Sequence, residues 1–322
     1  MRRIHYIVAA TLVVVFCAAF YLGRVSAPVA AEIKTLREGG YQFINPVLLC
    51  NINLNTQNKD EALAAKIQNY INSAAQKEVG VYYINYGVLK WSGVNIDQNF
   101  SPASMLKVPT MTAILRYVDE HPEVAQKEIW YDDSTDTNKA EYLKPKQAIQ
   151  PGHAYTVSDL LTYMIEYSDN NAAQLLDTKV VPQKDLAEIY LDLNIELPAN
   201  LGDIMSPHTY ADFLRLLYNG TYLTRQSSEK ALELMSKADF PQGIRGGVPS
   251  NLQVAEKFGE RTFVDPLGAA IGYELHDCGL IYGANTYLLC VMTRGSAISN
   301  YDQLAGEIRD ISKLVYDYQA AQ

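Results

Sequence analysis

The chain mixes stretches whose apolar residues recur every three to four positions with stretches where they recur every second one. From Asp60, "DEALAAKIQNYINSAAQKE" puts Leu63, Ile67, Tyr70, Ile71 and Ala74 on one face, which predicts an amphipathic helix. "VGVYYINYGVLKWSGVNID" predicts two strands turning at Gly87. The segment from Ser104 to Val118 is apolar nearly all round and predicts a central buried helix. Residues 120–245 read as mostly helical, "TVSDLLTYMIEYSDNNAAQLL" most plainly. Strand alternation returns in "LQVAEKFGERTFV", "AAIGYELHDCGLIYG" and "NTYLLCVMTRG". The last segment repeats Leu304, Ile308, Ile311, Val315 and Tyr318, a second amphipathic helix. The expected fold is α/β: one antiparallel sheet built from both ends of the chain and flanked by terminal helices. An all-helical lobe, at about 104–248, is inserted into it, and a site is expected in the cleft between.

The first residues follow another pattern. "YIVAATLVVVFCAAFYLG", Tyr6 to Gly23, is uncharged, with Arg2 and Arg3 before it and Arg24 after. A helix of that length spans roughly 27 Å, near the thickness of a bilayer's hydrocarbon. The arginines favour an N-in orientation, with the rest of the chain on the outer face of a bacterial cytoplasmic membrane. Residues 1–31 are therefore expected to anchor the protein through residues 6–23, with 32–59 as a tether and 60–322 as the folded domain. Cleavage in "SAPVAAE", near Ala31, with secretion, is the alternative. Export would also permit a bridge between Cys278 and Cys290, which face each other if their two strands turn at Ala284. Buried free thiols are the commoner outcome for such cysteines.

Composition narrows the chemistry. The net charge is −9, without a basic cluster, which argues against a nucleic-acid partner. No Cys/His spacing suggests zinc and no glycine-rich phosphate loop is present, so no cofactor or metal is expected. The histidines are scattered and there is no G-x-S-x-G elbow.

One stretch does carry chemistry. In "FSPASMLKVP", Ser104 stands at the mouth of the buried helix and Lys107 three residues on. Side chains three apart share a helix face, so an apolar setting could leave the lysine neutral enough to take the serine's proton. The same serine could simply cap the helix. The motif is also cheap: Ser227 to Lys230 matches it in a polar stretch.

Two further motifs follow in order: Ser168-Asp169-Asn170, then Lys257-Phe258-Gly259. With S-x-x-K ahead of them, the sequence resembles the penicillin-recognising serine hydrolases, most closely the class A β-lactamases, over residues 60–320. The resemblance implies the β-lactamase/transpeptidase-like fold and acyl transfer. Ser104 would attack a strained amide carbonyl, Lys107 would take its proton, and Ser168 would relay a proton to the leaving nitrogen. Asn170 would bind Lys107 and the substrate's amide. Lys257 and Gly259 would line the substrate site, and the backbone N–H groups of Ser104 and Glu260 would form the oxyanion hole.

Two departures stand out. Phe258 replaces the family's threonine, and Arg261, Thr262 or Arg245 might supply the missing contact to a substrate carboxylate. Glu196, in "ELPAN", is the candidate for activating the deacylating water, in a loop shorter than the family's. The expected activity is hydrolysis of β-lactams by a monomer. The alternatives are a peptidoglycan D,D-peptidase, which would take a stem peptide and release β-lactams slowly, and a non-catalytic wall-binding module.

Overall fold

The computed structural model describes residues 36–49, 58–74, 78–132, 136–195 and 205–322. The chain divides into a unit of Arg37–Leu48 with Asn53–Gln322 and one of Met1–Leu36 with Leu49–Ile52. Nearly all of the second, with the run Tyr6–Gly23 on which the anchor expectation rests, lies outside the described residues. Among the described residues no helix is long and apolar enough to cross a membrane.

In the larger unit, helix α1 (Glu61–Ser73) is started by Asp60, whose carboxylate accepts the Leu63 N–H, and it buries Leu63, Ile67 and Ile71 as predicted. Strands β1 (Glu78–Asn85) and β2 (Lys90–Val94) form the first hairpin. A 3₁₀ turn, Ala103–Leu106, leads into α2 (Lys107–Glu120), whose Val108, Met111, Ala113 and Ile114 are fully buried. Strands β3 (Glu128–Tyr131) and β4 (His153–Thr156) then pair as a ribbon that the periodicity of this mostly helical block did not predict. Five helices complete the block: α3 (Val157–Glu166), α4 (Asn170–Lys179), α5 (Gln183–Asp192), α6 (Pro207–Tyr218) and α7 (Arg225–Ser236). Strands β5 (Gln253–Val264), β6 (Ala270–Tyr282) and β7 (Tyr287–Ser296) follow, and α8 (Tyr301–Ala320) closes the chain behind an Asn300–Gln303 capping box.

The sheet runs β2-β1-β7-β6-β5 and is antiparallel throughout, so both ends of the chain build it. Alternation along each strand sends side chains to two cores. On β7, Leu289 and Val291 join Leu63 of α1 and Ile308 of α8 on one face. Leu288, Cys290 and Met292 join Met111 and Phe213 of the helical block on the other. The layers are therefore terminal helices, sheet and helical block. Part of the expected tether packs as well: Phe43 and Ile44 are buried in the second core, and Glu229 of α7 accepts the backbone N–H groups of residues 42–44.

Cys278 and Cys290 face each other across β6 and β7, and they are joined as a disulfide rather than left as buried thiols. Direct register opposition of two buried cysteines brings the sulfurs together, which their frequency as core residues does not reveal.

Candidate active site

The site forms where the start of α2, the loop before α4 and the edge strand β5 converge. Gly259 makes that convergence possible. A Cβ there would lie 2.4 Å from the carbonyl oxygen of Pro102 and 3.0 Å from Met105 Cγ, so only glycine lets β5 approach the 3₁₀ turn. The turn is pinned from the sheet side. Glu274 Oε2 accepts the Ser101 N–H at 3.1 Å, His276 Nε2 lies 2.9 Å from Ser101 O, and Arg261 donates to Ser101 Oγ at 2.6 Å. Ala103, just before Ser104, is held at φ 47° and Ser168 at φ 58°. Left-handed backbone at non-glycine residues costs on the order of 1–3 kcal/mol each and persists where surrounding contacts over-determine it.

For Ser168 those contacts come from Asp169. Its buried carboxylate accepts the Asn171 N–H at the start of α4, Asn138 Nδ2 at 2.8 Å and the Ile149 N–H at 2.8 Å. Asn138 Oδ1 in turn accepts the Asn170 N–H at 2.8 Å. The two segments thereby hold Ser168 and Asn170 toward Lys107. Lys107 Nζ donates to Ser168 O at 2.7 Å, to Ser168 Oγ at 3.2 Å and to Asn170 Oδ1 at 2.6 Å. Lys257 Nζ, fully buried, donates to the same Ser168 Oγ at 2.9 Å and to Phe258 O at 3.0 Å. One hydroxyl therefore sits between two amines.

Ser104 does not cap the helix: no side-chain hydrogen bond closes either the 3₁₀ turn or α2. It lines a cleft of about 310 Å³ together with Lys107, Glu141, Asn170, Glu260 and Arg261. The expected direct contact from Ser104 Oγ to Lys107 Nζ is not among the hydrogen bonds made, because Ser168 and Asn170 occupy all three of the ammonium's donors. The competing S-x-x-K has another explanation. Ser227 donates to Asp119 at 2.6 Å at the start of α7, and Lys230 pairs with Glu233.

Burial sets the electrostatics. Desolvation brings the Lys107 ammonium down to about 8, against the pull of Glu141, Asp169 and Glu260. Lys257 is pushed well below the usual lysine range by burial first and by Lys107's like charge second. Two buried amines of lowered basicity, one hydroxyl apart, can move a proton between a nucleophile and a leaving group.

A model of the beta-lactamase enzyme family matches residues 62–319. The chain belongs to that family. Beta-lactamase SME-1 of Serratia marcescens is 23% identical over 220 residues, covering 63% of this chain and 72% of that protein. Among solved structures, a beta-lactamase from Chitinophaga pinensis has a TM-score of 0.68 at 20% identity, with 81% of this chain and 100% of that one covered. PBP-A, solved as an acyl-enzyme complex with penicillin G, has a TM-score of 0.67 at 21% identity, with 82% and 98% covered. An ancestral class A beta-lactamase has 0.64 at 20%, with 80% and 99% covered. These likenesses show the beta-lactamase fold.

Within it, the structure brings Ser104, Lys107, Asn170 and Glu260 to one cleft, with Ser168 and Lys257 bonded to its wall. Glu196 lies outside the described residues. Phe258 points to the opposite face of β5 from Lys257, where its ring stacks on Phe240 at 4.5 Å. Of the three candidates to replace the missing threonine, Arg261 lines the cleft. Thr262 bonds the Tyr301 hydroxyl at 2.8 Å, and Arg245 pairs with Glu256 at 2.9 Å. Sequence reasoning missed Asn138 and Glu141. They sit in an irregular connection whose only signal is polar composition, and nothing in that pattern says which face they turn to the site.

Proposed function

We propose that the protein is a serine hydrolase of the class A type that opens β-lactam rings through an acyl-enzyme at Ser104. The hydrogen-bonded series Lys107–Ser168–Lys257 beside an uncapped serine in a cleft carries this reading. Ser104 Oγ bonds to the lactam carbon while its proton passes to the neutral form of Lys107. The carbonyl oxygen becomes an oxyanion, held by the backbone N–H groups of Ser104 and Glu260; losing one such donor costs about 10²–10³ in rate. The C–N bond then breaks and the nitrogen takes a proton through Ser168, leaving the acyl group on Ser104. Water adds to that ester, restoring the serine and releasing the ring-opened acid.

The second reading, a D,D-peptidase that keeps its acyl group, is favoured by one observation. The cleft's two carboxylates among the described residues are already engaged, Glu141 by Asn170 Nδ2 and Glu260 by the N–H groups of Tyr142 and Leu143. Incubating the full-length chain with a fluorescent penicillin separates the readings. Label with sustained ring opening supports hydrolysis, and stable label supports the peptidase. No label, or equal label in Ser104→Ala, overturns acyl transfer at this serine. The membrane anchor at 6–23 belongs to the same proposal; a mature chain beginning near Glu32 would replace it with secretion.

A further inference from the structure

Glu141 and Glu260 meet across the cleft as two acceptors. Glu260 is 7% exposed, and its Oε1 accepts the N–H groups of Tyr142 at 2.6 Å and Leu143 at 2.9 Å. Its Oε2 is buried without a donor, and the Glu141 carboxyl is its side-chain neighbour. Glu141 Oε1 accepts Asn170 Nδ2 at 2.6 Å. Two carboxyls that approach this closely need a cation or a shared proton between them. Both line the cleft that holds Ser104.

We propose that Glu141 and Glu260 form a subsite for a positively charged amino group carried on the acyl side of the substrate. This rests on the acyl-transfer reading above. There the leaving nitrogen lies toward Ser168, so the acyl substituent runs along the remaining wall of Glu141, Glu260 and Arg261. An ammonium is the group that satisfies two acceptors at once, with three donors and a compensating charge.

The ionisable surroundings of the pair bear on its pH behaviour. They are Lys107 at the start of α2, Lys257 and Arg261 on β5, and Tyr301 of α8, with Tyr142 in the same loop. Burial, with the facing Glu141 carboxyl, pushes Glu260 up to about 7. Below that pH a proton occupies the gap, and above it the gap is open to a substrate cation. The two acids also hold Lys107's basicity up. A bound ammonium offsets them and favours the neutral lysine that takes the serine's proton.

The test uses the full-length chain and two penicillins of equal side-chain length, one 5-aminopentanoyl and one hexanoyl, whose amine stays charged from pH 6 to 8.5. Acylation of Ser104 by the amino compound is expected to be about tenfold faster at pH 7.5, as for a charge-assisted contact. The preference should shrink toward pH 6 and vanish in Glu141→Gln and Glu260→Gln. Equal rates for the two penicillins, or a preference that survives both substitutions, overturns the subsite while leaving acyl transfer standing. If neither compound acylates, the acyl-transfer reading has failed instead. Calorimetric binding to Ser104→Ala then decides the subsite: tighter binding of the amine upholds it, and equal or absent binding overturns it.

Discussion

Raising the pH from 7 to 9 should accelerate acylation of Ser104 about tenfold. With Lys107 brought down to about 8 by burial, roughly one-tenth of its amines are neutral at pH 7 and roughly nine-tenths at pH 9. Only the neutral amine accepts the serine's proton, so the rate follows that fraction. A lysine left at the ordinary 10.5 would give the same steepness far later, still rising through pH 10. The position of the bend therefore reads the burial of this side chain. The measurement is the second-order rate of fluorescent-penicillin labelling between pH 6 and 10, scored on denaturing gels, with the reagent's own hydrolysis subtracted. Lys107→Gln should label about 10²–10⁴ times more slowly and lose the bend. A flat wild-type profile between pH 7 and 9, or the same bend in Lys107→Gln, would refute Lys107 as the base.

Replacing Lys107 by methionine should stabilise the fold while abolishing labelling. The folded pKa of about 8 against 10.5 means the native state bears the full cost of the buried charge below pH 8, about 3 kcal/mol, easing between pH 8 and 10.5. Thermal unfolding at pH 7 reads the gain, and an unchanged or lower Tm contradicts it. Asp169→Ala strands the Asn138 amide and the Ile149 N–H and should lower stability by about 2–4 kcal/mol, with labelling slowed as Ser168 relaxes; urea unfolding checks the first part and labelling the second. Gly259→Ala drives a Cβ to 2.4 Å from Pro102 O, so labelling should fall sharply while the fold survives, and wild-type labelling would contradict the close approach. Reducing the Cys278–Cys290 bridge should lower the Tm measurably, and no shift with both thiols titrated would show that it contributes nothing.

The sheet and its covering helices were legible because each has a clean period: Leu63, Ile67, Leu304 and Ile308 lie inward as their spacing requires. The catalytic trio was legible through ordered motifs, since Ser104, Ser168 and Lys257 sit at element boundaries that short patterns mark. The β3–β4 ribbon was not, because four-residue strands such as "EIWY" alternate too briefly to stand out from helix. Neither was the fate of Phe258. A three-letter motif does not say which face of β5 its middle residue takes, and the neighbouring Phe240 decides that. The Glu141–Glu260 approach joins residues 119 positions apart in sequence, one in an irregular connection and one on a sheet edge. Loop reach of that kind leaves no periodic trace.

These residues share a physical logic that explains why the site lies where it does. An edge strand offers backbone N–H groups that no neighbouring strand uses, and the glycine on β5 lets a helix start reach them. Burying two lysines and bending two residues into left-handed backbone opposes folding, so the opposing contacts must be rigid. They are supplied from both layers: Asp169 and Asn138 from the helical block, and Glu274 and His276 from the sheet. Loosening either layer would free the amines to find water and return to ordinary basicity. The reactivity of Ser104 is therefore a property of the junction between the layers, and neither layer alone would carry it.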